Sequence, residues 1–171
     1  GLTGLVSLGQ VGFFAIGAYG HAILMQAGLS FWLALPLATA LTALVGALLA
    51  IPAVRMAGPF LAMVTIAFAF IVEHLAIEWR SLTGGQNGLM GFDMPRVFGT
   101  TLGERGLVIL SIGTAGVALL AYRRLANSGW GMAMAALREN PRVAASYGID
   151  VRAFTLVAFA VSGLFAGVAG A

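Results

Sequence analysis

The sequence contains no cysteine, no lysine and few charged residues of either sign. Without cysteine the chain forms no disulfide, no thiolate zinc site and no cysteine nucleophile. Without lysine it lacks the phosphate-binding loop of nucleotide hydrolases, which needs a lysine before its serine or threonine. Two histidines leave little for metal chemistry. We expect no metal site, no catalytic residues and no cofactor bound by this chain.

Charge is scarce compared with a water-soluble protein. Hydrophobic residues make up 60% of the 171 residues and charged residues 9%, whereas a soluble domain carries about 25% charged residues. The net charge of +3 reflects nine arginines against six acids. We attribute this basic balance to membrane topology, and we expect contact with membrane lipid and no nucleic acid partner.

Five mostly apolar runs have roughly the length that crosses a bilayer, which takes about 20 helical residues. Lipid accepts only helices or closed barrels, and the alternating pattern of barrel strands is absent. The sequence therefore predicts an all-α, polytopic integral membrane helix bundle of about five transmembrane helices, with no β-sheet in the membrane. The runs occupy residues 5–27, 31–53, 59–79, 107–122 and 153–171. Because hydrophobic sequence is under way at both ends, we expect residues 1–171 to be a fragment of one transmembrane domain.

Arginines divide unequally between the two faces that five spans create. Arg55 and five arginines within residues 123–152 fall on one face, and three within residues 80–106 fall on the other. Short arginine-rich loops stay on the cytoplasmic side of a membrane. We therefore expect residues 123–152 to face the cytoplasm and residues 80–106 to face the opposite side.

The first run mixes glycines and polar residues with its apolar ones, among them Gln10 and Tyr19. One interpretation is close contact between helix backbones, which small residues allow in membranes. The other is a discontinuous helix whose freed backbone groups face a solute path.

Glu73 and His74 are adjacent ionisable residues near the outer end of the third run. Such a pair is costly inside a membrane unless it is paired or wet, which makes it a functional candidate. The alternative is a position at the level of the lipid headgroups, since Glu78 and Arg80 follow within two turns.

Residues 123–152 form the longest hydrophilic segment, and within it residues 133–139 are rich in helix formers. Pro141 opposes continuation of that helix. The short helix carries apolar side chains at Trp130, Met132, Met134 and Leu137. We interpret it as an exposed helix that fits a partner groove or, alternatively, lies on the membrane surface.

Three blocks of sequence resemble, in the same order, the permease subunits of branched-chain amino acid ABC transporters, closer to the LivM type than to the LivH type. They are LVSLGQ with FFAIGAY (residues 5–10 and 13–19), LAMVTIAF with WRSLTGGQNGL (61–68 and 79–89), and GMAMAALRE, GIDV and SGLFAGVAGA (131–139, 148–151 and 162–171). Together they span nearly the whole chain.

The resemblance implies a multi-pass permease subunit of an ATP-driven importer for branched-chain or other amino acids, in the bacterial inner membrane. It implies a second permease subunit, cytoplasmic ATP-binding subunits that hydrolyse the ATP, and an extracytoplasmic solute-binding protein as partners. By this resemblance the chain is a transport subunit and not an enzyme, and residues 123–152 are its cytoplasmic coupling loop.

In such importers a short cytoplasmic helix sits in a groove of the ATPase, a role that the resemblance gives to residues 130–140. The general importer pattern Glu-Ala-Ala-x3-Gly falls on residues 142–148, where only Ala144 and Gly148 match. We expect Met134 and Leu137, three residues apart on one helix face, to be the anchors. The full set of expected ATPase contacts is Trp130, Gly131, Met134, Leu137, Arg138, Glu139, Ala144 and Gly148.

A path for a zwitterionic solute needs hydrogen-bond partners without a fixed charge that would trap the solute. The candidates are Ser7, Gln10, Tyr19 and Thr65. The outer loop is a candidate contact for the solute-binding protein, the alternative being a plain turn, since Gly-Gly and Asn-Gly are turn dipeptides. The candidate loop residues are Thr83, Gly84, Gly85 and Asn87.

Two other functions compete. A secondary transporter or channel would use Glu73 and His74 as a proton relay with no ATPase. An intramembrane serine hydrolase would use Ser162 as its nucleophile and His21 or His74 as its base. The exposed cytoplasmic helix argues against the first. Against the second, a serine among small residues in a span usually bonds a carbonyl one turn back.

Overall fold

A computed structural model describes residues 8–54, 56, 59–89, 96–97, 100–101 and 103–171 of the chain. Most of the described residues are helical. The helices are α1 (Gln10–Gln26), α2 (Phe31–Ala53), α3 (Pro59–Glu78), α4 (Arg80–Thr83), α5 (Glu104–Ala126), α6 (Gly129–Glu139), α7 (Pro141–Ser146) and α8 (Val151–Gly170). A one-turn 3-10 helix at Gly85–Asn87 follows α4, and the two-residue strands β1 (Arg96–Val97) and β2 (Thr100–Thr101) pair antiparallel before α5.

The predicted all-α membrane bundle is confirmed. Four helices, α2, α3, α5 and α8, are long and apolar enough to cross a membrane. The first predicted span starts before the described residues, and α1 contributes 17 helical residues to it. The short strand pair lies in the loop between α3 and α5, so the described part of every span is helical.

Helix α5 extends beyond the predicted run of 107–122 at both ends. It includes Glu104 in its first turn and Arg123 and Arg124 in its last turn. Hydropathy excludes these residues, but an acid at the N-terminus and cations at the C-terminus of a helix interact favourably with its dipole. The charged ends therefore belong to the helix.

Paired contacts fix the relative directions of four helices. The contacting residues show that α1 runs parallel to α8 and to α3, whereas α2 runs antiparallel to α8. The pairs are Gln10 with Ser162, Gly17 with Gly167, Gly9 with Thr65, Gly12 with Ala69, Gly46 with Phe159, and Thr42 with Gly163. Helices α1, α3 and α8 therefore cross in one direction and α2 in the other, as loops that alternate between faces require.

The tightest contacts of the described part lie where α1, α2 and α8 meet. A Cβ atom at Gly163 would lie 2.5 Å from the carbonyl oxygen of Thr42, and one at Gly17 would lie 2.5 Å from that of Gly167. Thr42 is fully buried, and its hydroxyl donates to the carbonyl oxygen of Thr39 at 2.8 Å. Close backbone contact, one of the two interpretations of the first span, is therefore present in α1.

Candidate functional site

Polar groups from three helices meet at the start of α1. The side-chain amide of Gln10 donates to the hydroxyl of Ser162 in α8. The backbone N–H of Leu8 donates to Oγ1 of Thr65 in α3 at 3.0 Å. Thr65 is fully buried, whereas Gln10 is exposed. The structure therefore places two of the four path candidates at the start of α1, Gln10 bonded to Ser162 and Thr65 bonded to the backbone of Leu8. We call Gln10, Thr65 and Ser162 the polar cluster.

This cluster lies well inside the membrane-crossing part of the neighbouring helices. Gly12 faces Ala69 near the middle of α3, and Gln10 bonds Ser162 near the middle of α8. The first N–H groups of any α-helix have no partner within the helix, and Gly9 at the N-cap of α1 offers no side chain to satisfy them. The backbone N–H groups of the first turn of α1 therefore lie level with the middle of α3 and α8, while residues 1–7 lie outside the described part of the chain.

The other two path candidates do not join the cluster. Tyr19 lies nine positions after Gln10 in the same helix, which is about 13 Å along the axis, and its side chain is half-buried. Ser7 lies outside the described residues. The polar cluster is thus confined to the start of α1.

His21 is a buried histidine in the second half of α1. It is 4% exposed, its Nδ1 lies 2.7 Å from the carbonyl oxygen of Ala171, and its ring meets that of Phe31 edge-on. Its Nε2 has no hydrogen-bond partner among the described residues. Because His21 lies about 16 Å along α1 from Gln10, the partner of Ser162, it cannot act as the base of a Ser162 nucleophile.

Glu73 and His74 are both exposed on α3, about one turn before its end at Glu78. A proton relay through a membrane needs ionisable groups that face the bundle interior or a wet cavity. Exposure near the end of the helix fits the headgroup interpretation.

The outer loop folds as a compact turn after α4. The hydroxyl of Thr83 lies 2.5 Å from the carbonyl oxygen of Ala76 and accepts the N–H of Gly85 at 3.3 Å. Gly84, Gly85 and Gly88 have φ angles of +75°, +63° and +69°, which favour glycine. Thr83 and Gly85 are buried, so among the four candidate loop contacts only Gly84 and Asn87 are exposed.

The predicted coupling loop, residues 123–152, is called the coupling segment below. It begins with a tight turn from α5 into α6. Ser128 caps α6, its hydroxyl accepting the N–H of Gly131 at 3.4 Å and donating to the carbonyl oxygen of Leu125 at 2.6 Å. A Cβ atom at Gly131 would overlap the carbonyl oxygens of Leu125 and Ala126. Gly131 therefore has a role in the turn, since a side chain does not fit there.

The expectation that Met134 and Leu137 form an exposed anchor is wrong. They are 2% and 5% exposed, and Ala144 of α7, which contacts α6, is buried as well. The helix is amphipathic, so the three-residue spacing correctly places Met134 and Leu137 on one face, but that face is the inner one. The exposed large apolar residues of the segment are Trp130, Met132, Val143 and Tyr147.

The rest of the coupling segment is held by caps. Asn140 accepts the N–H of Val143 at 3.3 Å, and Gly148, with φ of +82°, ends the turn after α7. Asp150 accepts the N–H groups of Arg152 and Ala153 and so caps α8. Arg138 and Glu139, two of the expected ATPase contacts, are exposed at the end of α6.

Two residues in these sites make contacts that the sequence interpretation did not predict. Ser162 was considered only as a nucleophile or as a bond to its own helix, yet it accepts from Gln10. Phe154 was not considered, yet its ring lies 5.1 Å from that of Trp130, centre to centre. Both contacts depend on the register between helices, which a single sequence does not specify.

Comparisons with known proteins agree with one another. A sequence model of the family described as branched-chain amino acid transport system, permease component, matches residues 1–171. The high-affinity branched-chain amino acid transport system permease protein LivM of Escherichia coli is 36% identical, and LivM of Salmonella typhimurium is 35% identical. Each alignment covers 99% of this chain and 46% of the relative, so the chain spans about half the length of these relatives. No solved structure matches.

Proposed function

The chain belongs to the family of branched-chain amino acid transport permease components, and from that premise we propose that it forms part of the membrane channel of an ATP-driven amino acid importer. The observation that carries the proposal is a family match along the whole chain of a multi-pass helix bundle. The proposed setting is a bacterial inner membrane.

The solute is proposed to pass the start of α1. There the amide of Gln10 and the hydroxyl of Ser162 supply neutral hydrogen-bond partners level with the middle of α8. The positive end of a helix dipole favours the carboxylate of an amino acid without a fixed charge that would hold it. Thr65 supports this arrangement, because its buried hydroxyl accepts the N–H of Leu8 just before the helix.

Energy for transport is proposed to come from a cytoplasmic ATP-binding subunit docked on the coupling segment. The exposed apolar side chains of Met132, Val143 and Tyr147, with the exposed charges of Arg138 and Glu139 beside them, suit an apolar groove with a polar rim. A second permease subunit and an extracytoplasmic solute-binding protein complete the proposed assembly. Gly84 and Asn87 remain the proposed loop contacts for that binding protein.

The alternative of a secondary transporter or channel draws no support from the described residues. Its proposed relay, Glu73 and His74, is exposed near the outer end of α3 and away from the polar cluster at the start of α1. We therefore retain the ATP-driven importer as the proposal.

The proposal is tested by purifying the full-length tagged permease from its native membrane in mild detergent and identifying what accompanies it. An ATP-binding subunit and a second permease should be present in stable ratio. Radiolabelled leucine uptake by the parent cells should be inhibited by unlabelled branched-chain amino acids. Recovery of the permease alone, with uptake that continues after ATP depletion, would contradict the proposal.

A further inference from the structure

Two membrane helices, α5 and α8, contact the coupling segment, and they differ in how much of their surface is buried against the rest of the bundle. Helix α6 contacts α5, which precedes it, and both α6 and α7 contact α8, which follows. None of the residues of α5 is buried by the described part of the chain. Helix α8, in contrast, buries Thr155, Phe159, Gly163 and Gly167. Within the described part, therefore, α8 is the helix through which a movement of α6 reaches the other spans.

One aromatic contact links α6 to α8 near the start of both helices. The rings of Trp130 and Phe154 lie 5.1 Å apart, centre to centre, at an angle of 42°. Caps fix both helix starts, since Ser128 accepts an N–H of α6 and Asp150 accepts two of α8. The two rings thus project from well-defined first turns. A displacement of the start of α6 is therefore transmitted to the start of α8.

From Phe154 onward α8 is in rigid contact with the bundle. Its Gly163 lies against the backbone of Thr42 in α2, and its Gly167 lies against the backbone of Gly17 in α1. Backbone-to-backbone contacts have no flexible side chain that could absorb a small shift. A displacement of α8 is therefore passed to α1 and α2, and through the bond from Gln10 to Ser162 it reaches the start of α1.

We propose that the ring contact between Trp130 and Phe154 transmits the movement of the coupling helix to α8, and through α8 to the polar cluster at the start of α1. The inference rests on the proposed function and assigns Trp130 and Phe154 as positioning residues for transport. Trp130 then acts on the inside of the segment, although 52% of its surface is exposed, and it is distinct from the ATPase anchors Met132 and Tyr147.

Loss of this ring contact should weaken the coupling of ATP hydrolysis to transport without preventing assembly of the transporter. Met134 and Leu137 are buried within the segment, so their loss would disturb its fold. Trp130 and Phe154 are only partly buried. Replacing either ring by leucine keeps an apolar side chain and removes the aromatic contact, so the ATPase should still bind and still hydrolyse ATP.

The test uses the complete transporter in proteoliposomes, with ATP hydrolysis and solute uptake measured in the same sample. Phe154→Leu should assemble and hydrolyse ATP, while uptake per ATP hydrolysed falls about threefold to tenfold, the range expected when an aromatic pair is lost. Trp130→Leu should have the same effect, and the double substitution should be little worse than either. Phe154→Tyr, which retains a ring, should transport normally.

Phe70→Leu is the matched control, because Phe70 is 65% exposed on α3 and far along the chain from this contact. Unchanged uptake per ATP in Phe154→Leu would overturn the inference, and so would an equal decrease in Phe70→Leu or additive losses in the double variant. A Phe154→Leu complex that fails to assemble would also overturn it, because the contact would then serve folding. If the unsubstituted complex shows no ATP-dependent uptake, the proposed function fails and not the ring contact alone.

Discussion

At the scale of single residues, glycines set how closely the helices approach. A Cβ atom at Gly17 would lie 2.5 Å from the carbonyl oxygen of Gly167, whereas one at Gly20 would meet only side chains of α2 at 3.7 Å. Gly17→Ala should therefore destabilise the bundle by about 1–3 kcal/mol. Gly20→Ala in the same helix should be neutral or stabilising by up to about 1 kcal/mol.

The two glycine variants are compared by thermal unfolding of the full-length permease in detergent. A lower midpoint for Gly17→Ala than for Gly20→Ala is the expected result. Equal midpoints would mean that α1 and α8 separate easily and that their contact does not hold the bundle together.

Thr65 offers a second residue-level prediction. Its hydroxyl accepts the N–H of Leu8 and donates to the carbonyl oxygen of Ala62, both at 3.0 Å. Thr65→Val keeps the shape but leaves the Leu8 N–H unpaired at membrane depth, which should cost about 1–3 kcal/mol. Thr65→Ser restores the hydroxyl and should restore stability and uptake. Identical behaviour of the valine and serine variants would show that this bond has no importance.

Residue types were a partial guide to the polar cluster. Gln10 and Thr65 were predicted because polar side chains are rare and costly in apolar runs. Ser162 was missed as the partner of Gln10, because a serine hydroxyl can equally well bond a carbonyl of its own helix, and its role depends on which helix lies opposite. Tyr19 was predicted for the same reason as Gln10, but about two and a half turns of helix separate them.

At the scale of elements, the coupling segment contains two short helices, α6 and α7, which both contact α8. The sequence predicted the first and its end before Pro141, and α6 does end at Glu139. It did not predict α7, which Pro141 itself begins, because proline is disfavoured inside a helix but suits its first turn. Which face of α6 is buried depends on α7 and α8, and for that reason the sequence did not predict that Met134 and Leu137 are buried.

We predict that the exposed face of the coupling segment binds the ATPase. Met132 is 67% exposed and Tyr147 is 83% exposed. Replacing both with aspartate places charges in the proposed apolar groove, where unpaired burial costs several kcal/mol and lowers affinity more than about a hundredfold. The variant should reach normal levels in the membrane and fail to co-purify with the ATP-binding subunit.

Two variants serve as controls for this experiment. Met132→Leu keeps the apolar surface and should bind the ATPase normally. Met134→Asp puts a charge at a buried position and should lower the amount of folded permease. If the doubly substituted protein keeps its ATPase while Met134→Asp folds normally and loses it, the docking face is the other side of α6.

At the scale of the whole molecule, composition and arginine counting predict a membrane bundle and its orientation. Because these 171 residues contain no cysteine, a single introduced cysteine is the only one among them. Asn127 and Gln86 are exposed and lie in segments expected on opposite sides of the membrane. Cysteines at these positions should react with an impermeant thiol reagent from opposite sides, Gln86→Cys in intact cells and Asn127→Cys only after permeabilisation. Labelling of both from the same side would refute the topology.

The sequence alone did not predict which helices pack against one another. Runs of apolar residues predict that helices cross the membrane, because lipid demands it, but the lipid interior gives no hydrophobic preference for one neighbour over another. Neighbours are instead selected by shape, as where Gly163 of α8 meets the backbone of Thr42 in α2. That selection requires three-dimensional fit between helices distant in the chain.

The central claim, that this chain is part of a permease driven by a partner ATPase, is tested most directly by uptake in a defined system. The full-length permease and its partner subunits are reconstituted into liposomes with ATP and the ATP-binding subunits on one side and the binding protein loaded with radiolabelled leucine on the other. The claim predicts that leucine accumulates against its gradient only while ATP is hydrolysed, and that accumulation stops when the conserved phosphate-binding lysine of the ATPase is replaced. Accumulation driven by a proton gradient without ATP, or none in any combination of subunits and branched-chain amino acids, would contradict it.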